Sequence, residues 1–175
     1  MILLVSDHTN DPLFTSTTIR CHRVSPAAAL ADLGFAIGAE LVVLEFAPGT
    51  YPLLEAHAFQ LGPTLYVWAS ATTGTVGPLL LPRATPCSSC IALPNHDETP
   101  AAAHLRAWAM AGAVVEIHAL QHRRGGALAG RALTWDERSG SIATTPTRHR
   151  PSCRTPGCAA SIAFGGGRAA LTRAG

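Results

Sequence analysis

The chain has 175 residues, of which 47% are hydrophobic and 14% are charged, and its formal net charge is +2. This length predicts one domain with a core of its own, and the high apolar fraction favours burial against a partner, such as a homodimer. The weak, scattered positive charge argues against a nucleic-acid-binding stripe. The sequence contains no lysine, so this chain cannot supply the lysine of a phosphate-binding loop or of a Schiff base.

The amino-terminal residues carry no basic segment and reach a charge at Asp7, which argues against a signal peptide. No stretch approaches the roughly twenty continuous apolar residues of a membrane-spanning helix. We therefore expect a cytoplasmic protein without a membrane partner. Thiols stay reduced in that compartment, which favours metal binding over disulfide bonds.

The first half of the chain alternates predicted strands and helices. Apolar runs predict strands over 2–6, 19–24, 41–46, 64–68 and 75–81, with helices over 27–34 and 51–61. Ser25 followed by Pro26 is a typical beginning for the first helix. Near-continuous apolar strands separated by helices are typical of a parallel sheet that is covered on both faces.

The second half begins with a long predicted helix, which starts at Thr99-Pro100, ends at 123–126 and is interrupted at Gly112. The face of this helix that we expect to be buried carries Leu105, Trp108, Ala109 and Val115. Two strands over 128–136 and 141–147 then form a predicted hairpin around 137–140. No repeat or linker divides the chain, which predicts one compact α/β domain.

Four cysteines fall into two close pairs. Cys87 and Cys90 form a C-x2-C pair, and Cys153 and Cys158 form a C-x4-C pair. Two such pairs, brought together by the fold, can surround one tetrahedral zinc ion. Two disulfides or unlinked thiols are the alternatives. With four protein ligands the zinc would be structural, because no coordination position stays open for water.

Other polar residues give weaker signals. His149 could replace a zinc ligand or hydrogen-bond a thiolate, whereas Cys21 is expected to be a small buried strand residue without nucleophilic function. The sequence has no G-x-S-x-G elbow, and its compact polar groups, Asp7-His8 and 96–98, are more typical of loop caps. We therefore predict no catalytic residue.

A glycine-rich nucleotide loop is also missing from the expected place. After the first strand stands DHTNDP instead of a glycine-rich turn. The pattern at 165–170 matches G-x-G-x-x-A, but too few residues follow it for the helix and strand that a dinucleotide site requires. We predict no nucleotide-binding residue.

Residues 77–82 (GPLLLP), followed by TPCSSC at 85–90, resemble a segment of ThiF-like proteins, which are relatives of ubiquitin-activating enzymes. Within them the chain is similar to the ocin-ThiF-like or cyclodehydratase group of gene clusters for ribosomally made, modified peptides (RiPPs), including bacteriocins with thiazole or oxazole rings. Three other segments agree with this resemblance: the strand over 41–46, LTWD at 133–136 and RPSC at 150–153. The match therefore covers about residues 40–158.

This resemblance implies a ThiF-like α/β domain with a mainly parallel sheet, a C-terminal hairpin and a structural zinc ion, and many members dimerise. It gives the zinc positions to Cys87, Cys90, Cys153 and Cys158. The adenylating members carry a glycine-rich nucleotide loop with arginine and lysine contacts, and others begin with a winged-helix region that binds a leader peptide. Because neither is found here, we expect a shortened domain over 1–160, a tail over 161–175, Zn²⁺ as cofactor and no ATP.

By resemblance, the expected function is that of a non-catalytic accessory protein. Such a protein would bind a precursor (leader) peptide, a YcaO-type cyclodehydratase, or both. Two other hypotheses stay open: an ATP-dependent adenylating enzyme whose site is completed by a partner, and a zinc-stabilised structural or nucleic-acid-binding module.

Overall fold

The structure is a computed structural model that describes residues 1–8, 19, 21–93, 100–122, 126–151 and 153–158. The tail predicted over 161–175, the glycine-rich pattern at 165–170 and the polar run at 96–98 lie outside these residues.

The described residues form a seven-stranded sheet with helices on both faces. Its elements are β1 (Ile2–Val5), β2 (Cys21–Val24), α1 (Pro26–Ala31), a 3₁₀ helix (Leu33–Ala36), β3 (Leu41–Leu44), α2 (Pro52–Leu61), β4 (Thr64–Ala69), β5 (Thr73–Leu80), α3 (Ser88–Ile91), α4 (Ala103–Gln121), β6 (Arg131–Asp136) and β7 (Ser141–Pro146). The strand order is β2-β1-β3-β4-β5-β6-β7. The α/β class predicted from the sequence is confirmed.

The sheet has a parallel half and an antiparallel half. Strands β2, β1, β3 and β4 pair in parallel, as the βαβ pattern predicts. Strands β4 to β7 pair antiparallel, and β6 and β7 form the predicted C-terminal hairpin. Because alternate side chains of a strand point to opposite faces, the central strands β1, β3, β4 and β5 contribute to two core layers.

One core layer lies between the sheet and α4, where Met110, Ala113 and Ile117 are fully buried. The other lies beneath α1, α2 and α3, where Leu54, Phe59 and Tyr66 pack with three of the paired cysteines. Two apolar faces on every central strand explain why the sequence shows continuous apolar runs instead of alternation.

Two details of the long helix differ from the prediction. Helix α4 is continuous through Gly112, where an added Cβ would lie 2.8 Å from Cγ1 of Val76, so this glycine permits close helix–strand contact instead of breaking the helix. Val115 is 69% exposed, because at about 100° per residue it points away from the stripe that contains Ala113 and Ile117.

The carboxyl ends of β1, β3 and β4 meet at one end of the sheet. The chain leaves β1 toward β2 on one side, and β3 then lies on the other side of β1. Open sheets have a crevice at such a reversal of strand order, and ligands commonly bind there. Among the described residues, none of the helices combines the length and apolar character that crossing a lipid bilayer requires.

Candidate functional site

The first cysteine pair lies on the segment that follows β5. Cys87 precedes the one-turn helix α3, and Cys90 lies within it. The hydroxyl oxygen of Thr85 accepts a hydrogen bond from the backbone N–H of Leu81 at 2.8 Å, which fixes the approach to the pair. Cys87 is fully buried and Cys90 is 8% exposed, so both side chains point into the protein.

The second pair lies on a loop after the β6–β7 hairpin. Gly157 has a φ of 79°, a left-handed conformation that favours glycine and turns the chain just before Cys158. The backbone N–H of Arg83 donates to the carbonyl of Gly157 at 2.7 Å. The Nη2 of Arg150 donates to the carbonyl of Ala92 at 3.0 Å. These bonds join the second loop to the first.

The four sulfur atoms form one cluster. The Sγ atom of Cys87 lies 3.8 Å from that of Cys90 and 3.5 Å from that of Cys153. The Sγ atoms of Cys90 and Cys158 are 3.8 Å apart, and all four lie within 4.8 Å of one another. Sulfurs bound tetrahedrally to one ion at about 2.3 Å would be about 3.8 Å apart. The arrangement could therefore hold a metal ion.

All four thiols are free, and their separations far exceed the about 2.05 Å of a disulfide bond. Burial raises the pKa of Cys90 to about 12. Burial also acts to raise the pKa of Cys153, but hydrogen bonds from the Thr155 side chain and backbone and from the neighbouring thiols outweigh it and lower this pKa to about 6. Cys153 is therefore readily deprotonated to a thiolate, and the thiolate is the form of cysteine that binds metal.

Backbone and side-chain donors surround the sulfurs. The N–H of Arg150 donates to the Sγ of Cys90 at 3.4 Å. The exposed His149 places its Nδ1 atom 3.6 Å from the Sγ of Cys158, so it contacts the cluster from outside. Cys21 lies on β2, outside the cluster, as predicted, but it is half-buried instead of buried, because the residues of β2 at this edge of the sheet are only partly covered. Asp7 and His8 are exposed, and Asp7 accepts a 3.4 Å bond from the hydroxyl of Tyr51.

A second feature, which the sequence did not predict, is a cavity of about 360 Å³ at the carboxyl ends of β1, β3 and β4. We call it the strand-end cavity. The residues lining it are His8, Glu45, Phe46, Ala47, Thr50, Val67, Trp68, Ala69, Ser70, Thr73, Leu93, Ala101, Arg106 and Ala109. They come from five separate parts of the chain, so no local motif marks them.

The strand-end cavity contains a buried ion pair. The side chain of Glu45 is 4% exposed, and its Oε1 accepts from both Nε and Nη2 of Arg106 at 2.6 Å. Its Oε2 accepts a hydrogen bond from the hydroxyl of Ser6. The carboxylate therefore has a partner on each oxygen. A glutamate that directly follows a buried strand was the one available sequence signal for this site.

The loop along one side of the cavity is held by a second buried carboxylate. Glu55, at 1% exposure, accepts from the backbone N–H of Gly49 at 2.8 Å and from that of Tyr51 at 2.8 Å. It also accepts a 2.8 Å bond from the hydroxyl of Tyr66, whose pKa is raised well above its usual value by burial and by this carboxylate. The cavity wall is thus fixed by the core beneath it.

The cavity and the cysteine cluster are connected through the end of α3. The backbone N–H of Leu93, which lines the cavity, donates to the carbonyl of Pro48 at 2.9 Å. The residue before it, Ala92, accepts the hydrogen bond of Arg150 from the second cysteine loop. The position of one cavity wall therefore depends on the loops of the cluster.

Comparison with known proteins gives matches in structure but not in sequence. No protein-family profile matches the chain. No curated protein matches its sequence significantly.

Solved structures do match. The heterocyclase TruD matches with a TM-score of 0.64 and 16% identity, over 89% of this chain and 27% of TruD. E. coli MccB with selenomethionine-labelled MccA matches with a TM-score of 0.63 and 13% identity, over 83% of this chain and 48% of MccB. MccB with ATP gives a TM-score of 0.62 at 12% identity, over 82% of this chain and 48% of MccB.

The chain thus spans about a quarter of TruD and about half of MccB. At these identities the likeness shows a common fold. The resemblance to ThiF-like proteins that the sequence predicted is therefore confirmed at the level of the fold.

Proposed function

We propose that this chain is a non-catalytic ThiF-like accessory protein of ribosomal peptide natural-product biosynthesis in the cytoplasm. It binds a precursor peptide, a YcaO-type cyclodehydratase, or both. The observation that carries this proposal is the fold shared with TruD and MccB, combined with the lack of a glycine-rich turn directly after the first strand. TruD is a heterocyclase, and MccB was solved together with MccA.

An ATP-independent role is supported by the residues near β1. No glycine occurs between Val5 and Cys21, and the chain has no lysine. Phosphate groups are commonly bound by the backbone N–H groups of glycine-rich turns and by such a lysine. In the strand-end cavity, Arg106 is already paired with Glu45, so its charge is compensated within the chain.

The proposed cofactor is one structural zinc ion, held by Cys87, Cys90, Cys153 and Cys158. The sulfur separations of 3.5 to 3.8 Å support this ligand set. A bound zinc ion supplies a cross-link between two loops that are distant in sequence, and it has no open position for catalysis. The four cysteines fix the loops, and Arg150 and His149 contact the sulfurs from outside.

The open edge of β7 is the proposed binding surface for an extended leader segment. All six residues of β7 are exposed. The bond from the Thr147 N–H to the Gly130 carbonyl, together with the register of β6 and β7, turns the N–H and C=O groups of Ile142 and Thr144 toward the open edge. β7 carries no charged residue, and charges are a common protection of exposed edges. An added peptide strand can pair there.

Three measurements test the proposal. Co-purification should recover a YcaO-type enzyme, a precursor peptide, or both with the tagged protein. Millimolar ATP with Mg²⁺ should leave the melting temperature unchanged, because a ligand that does not bind the folded state cannot stabilise it. Light scattering should give the mass of a dimer. If the chain binds neither the peptide nor the enzyme, the proposal is contradicted.

The second candidate function is an adenylating enzyme whose site is completed by a partner. It is favoured by the fold likeness to MccB with ATP. ATP–pyrophosphate exchange by the purified protein, alone or with its partner, would establish this function in place of the first.

A further inference from the structure

We infer that the strand-end cavity binds an uncharged segment of the precursor peptide. This inference rests on the proposed function. It gives the precursor peptide a second binding surface, separate from the edge of β7. The volume of about 360 Å³ is within the range of about 300–1,000 Å³ that is usual for ligand pockets. The cavity lies at the reversal of strand order, where open α/β sheets commonly bind their ligands.

The charges of the cavity exclude a strongly charged occupant. Among its described lining residues, the ionisable side chains are Glu45, Arg106 and His8. Glu45 and Arg106 neutralise each other at 2.6 Å, and the Glu45 carboxylate is 4% exposed. A phosphate or a carboxylate beside Arg106 would bring a second negative charge to a guanidinium whose charge the buried Glu45 already compensates. The ion pair therefore favours a neutral ligand.

The remaining lining residues indicate the chemistry of that ligand. Phe46, Val67 and Trp68 provide an apolar and aromatic wall, and Thr50 and Ser70 provide hydroxyl groups. Ser70 is held in place because its oxygen accepts from the backbone N–H of Thr73 at 3.0 Å. An apolar wall with a few fixed polar groups suits uncharged peptide residues, which combine apolar side chains with amide groups.

The test is binding of a fluorescein-labelled synthetic peptide to the full chain by fluorescence anisotropy. The peptide has the sequence of the precursor that co-purifies with the tagged chain. Ala101 is exposed and lines the cavity, so Ala101→Trp blocks the cavity without changing the core. Ala107 is also exposed, on the outer side of α4, so Ala107→Trp is the matched control. Circular dichroism melting confirms that both variants fold.

We expect Ala101→Trp and Trp68→Ala to raise the Kd at least tenfold, and Ala107→Trp to change it less than twofold. Replacing uncharged residues of the bound peptide segment with aspartate should weaken binding by a similar factor. The inference is overturned if the peptide binds both cavity variants as it binds the wild-type chain, and the proposed function then survives. Absence of any peptide binding overturns the inference, and it overturns the proposed function as well only if the YcaO-type enzyme also fails to bind. Displacement of the peptide by adenosine or ATP overturns the assignment of the cavity to a peptide.

Discussion

The cysteine cluster and the strand-end cavity lie in the same fold but differ in how the chain builds them. The cluster takes four side chains of one type from two short loops. The cavity takes fourteen residues of many types from five parts of the chain: the segments that follow β1, β3 and α3, the region of β4 and the start of β5, and the region of α4. The spacing of cysteines is therefore enough to predict the first site, whereas only the strand order brings the second one together. The largest effects should come from the cluster.

Removing one ligand of the cluster should cause the largest loss of stability. In Cys90→Ser we expect loss of bound zinc and a fall in the free energy of unfolding of more than about 4 kcal/mol, since loss of a structural metal is among the most destabilising changes. Metal analysis and urea unfolding measure both. Cys21→Ser, the control outside the cluster, should keep one zinc per chain. Full zinc content in Cys90→Ser would contradict the ligand assignment.

Breaking the ion pair of the cavity should have the next largest effect. Arg106→Met leaves the carboxylate of Glu45, at 4% exposure, without a counter-charge, and such a change costs about 3–5 kcal/mol. The double variant Glu45→Leu/Arg106→Met should recover most of that loss. Zinc content should stay at one ion per chain in both variants. If the single variant unfolds at the same urea concentration as the wild type, the pair does not hold the cavity wall.

A change at the sheet edge should affect binding more than stability. The N–H of Thr144 points to the open edge, so Thr144→Pro removes a donor for an added strand and leaves the pairing of β7 with β6 intact. We expect about a tenfold rise in the Kd for the leader peptide, which corresponds to about 1.4 kcal/mol. Thr144→Ala keeps the backbone donor and is the control. Equal affinities in the two variants would exclude the β7 edge as the binding surface.

The smallest effect concerns pH in the metal-free protein. The pKa of Cys153 is lowered from 9.0 to about 6, by hydrogen bonds that outweigh its burial. Its thiolate therefore contributes stability that is fully present above pH 9 and is lost as the pH falls through 6. The pKa of Cys90 is raised to about 12 by burial, so its contribution is present below pH 9 and is lost as the pH rises toward 12. In urea unfolding, the protein treated with a chelator should be less stable as the pH falls toward 6 and as it rises toward 12. Cys153→Ser should remove the loss of stability at low pH and keep the loss at high pH.

The elements show what the sequence could predict. Every predicted strand and helix that falls on described residues is present within a few positions, because buried strands and the Ser25 helix cap leave local patterns. The predicted interruption of the helix at Gly112 was wrong. The glycine is there because the helix lies close to Val76, a contact that only the tertiary structure contains. The buried pair of Glu45 and Arg106 spans 61 positions, and no local pattern indicates such a partner.

The central claim is that this chain binds a precursor peptide without using ATP. Isothermal titration calorimetry of the precursor peptide into the purified zinc-loaded chain, with and without ATP and Mg²⁺, tests it most directly. The account predicts one binding event per chain with the same affinity in both solutions. Binding that requires ATP, or pyrophosphate release during the titration, would contradict it and identify an adenylating enzyme.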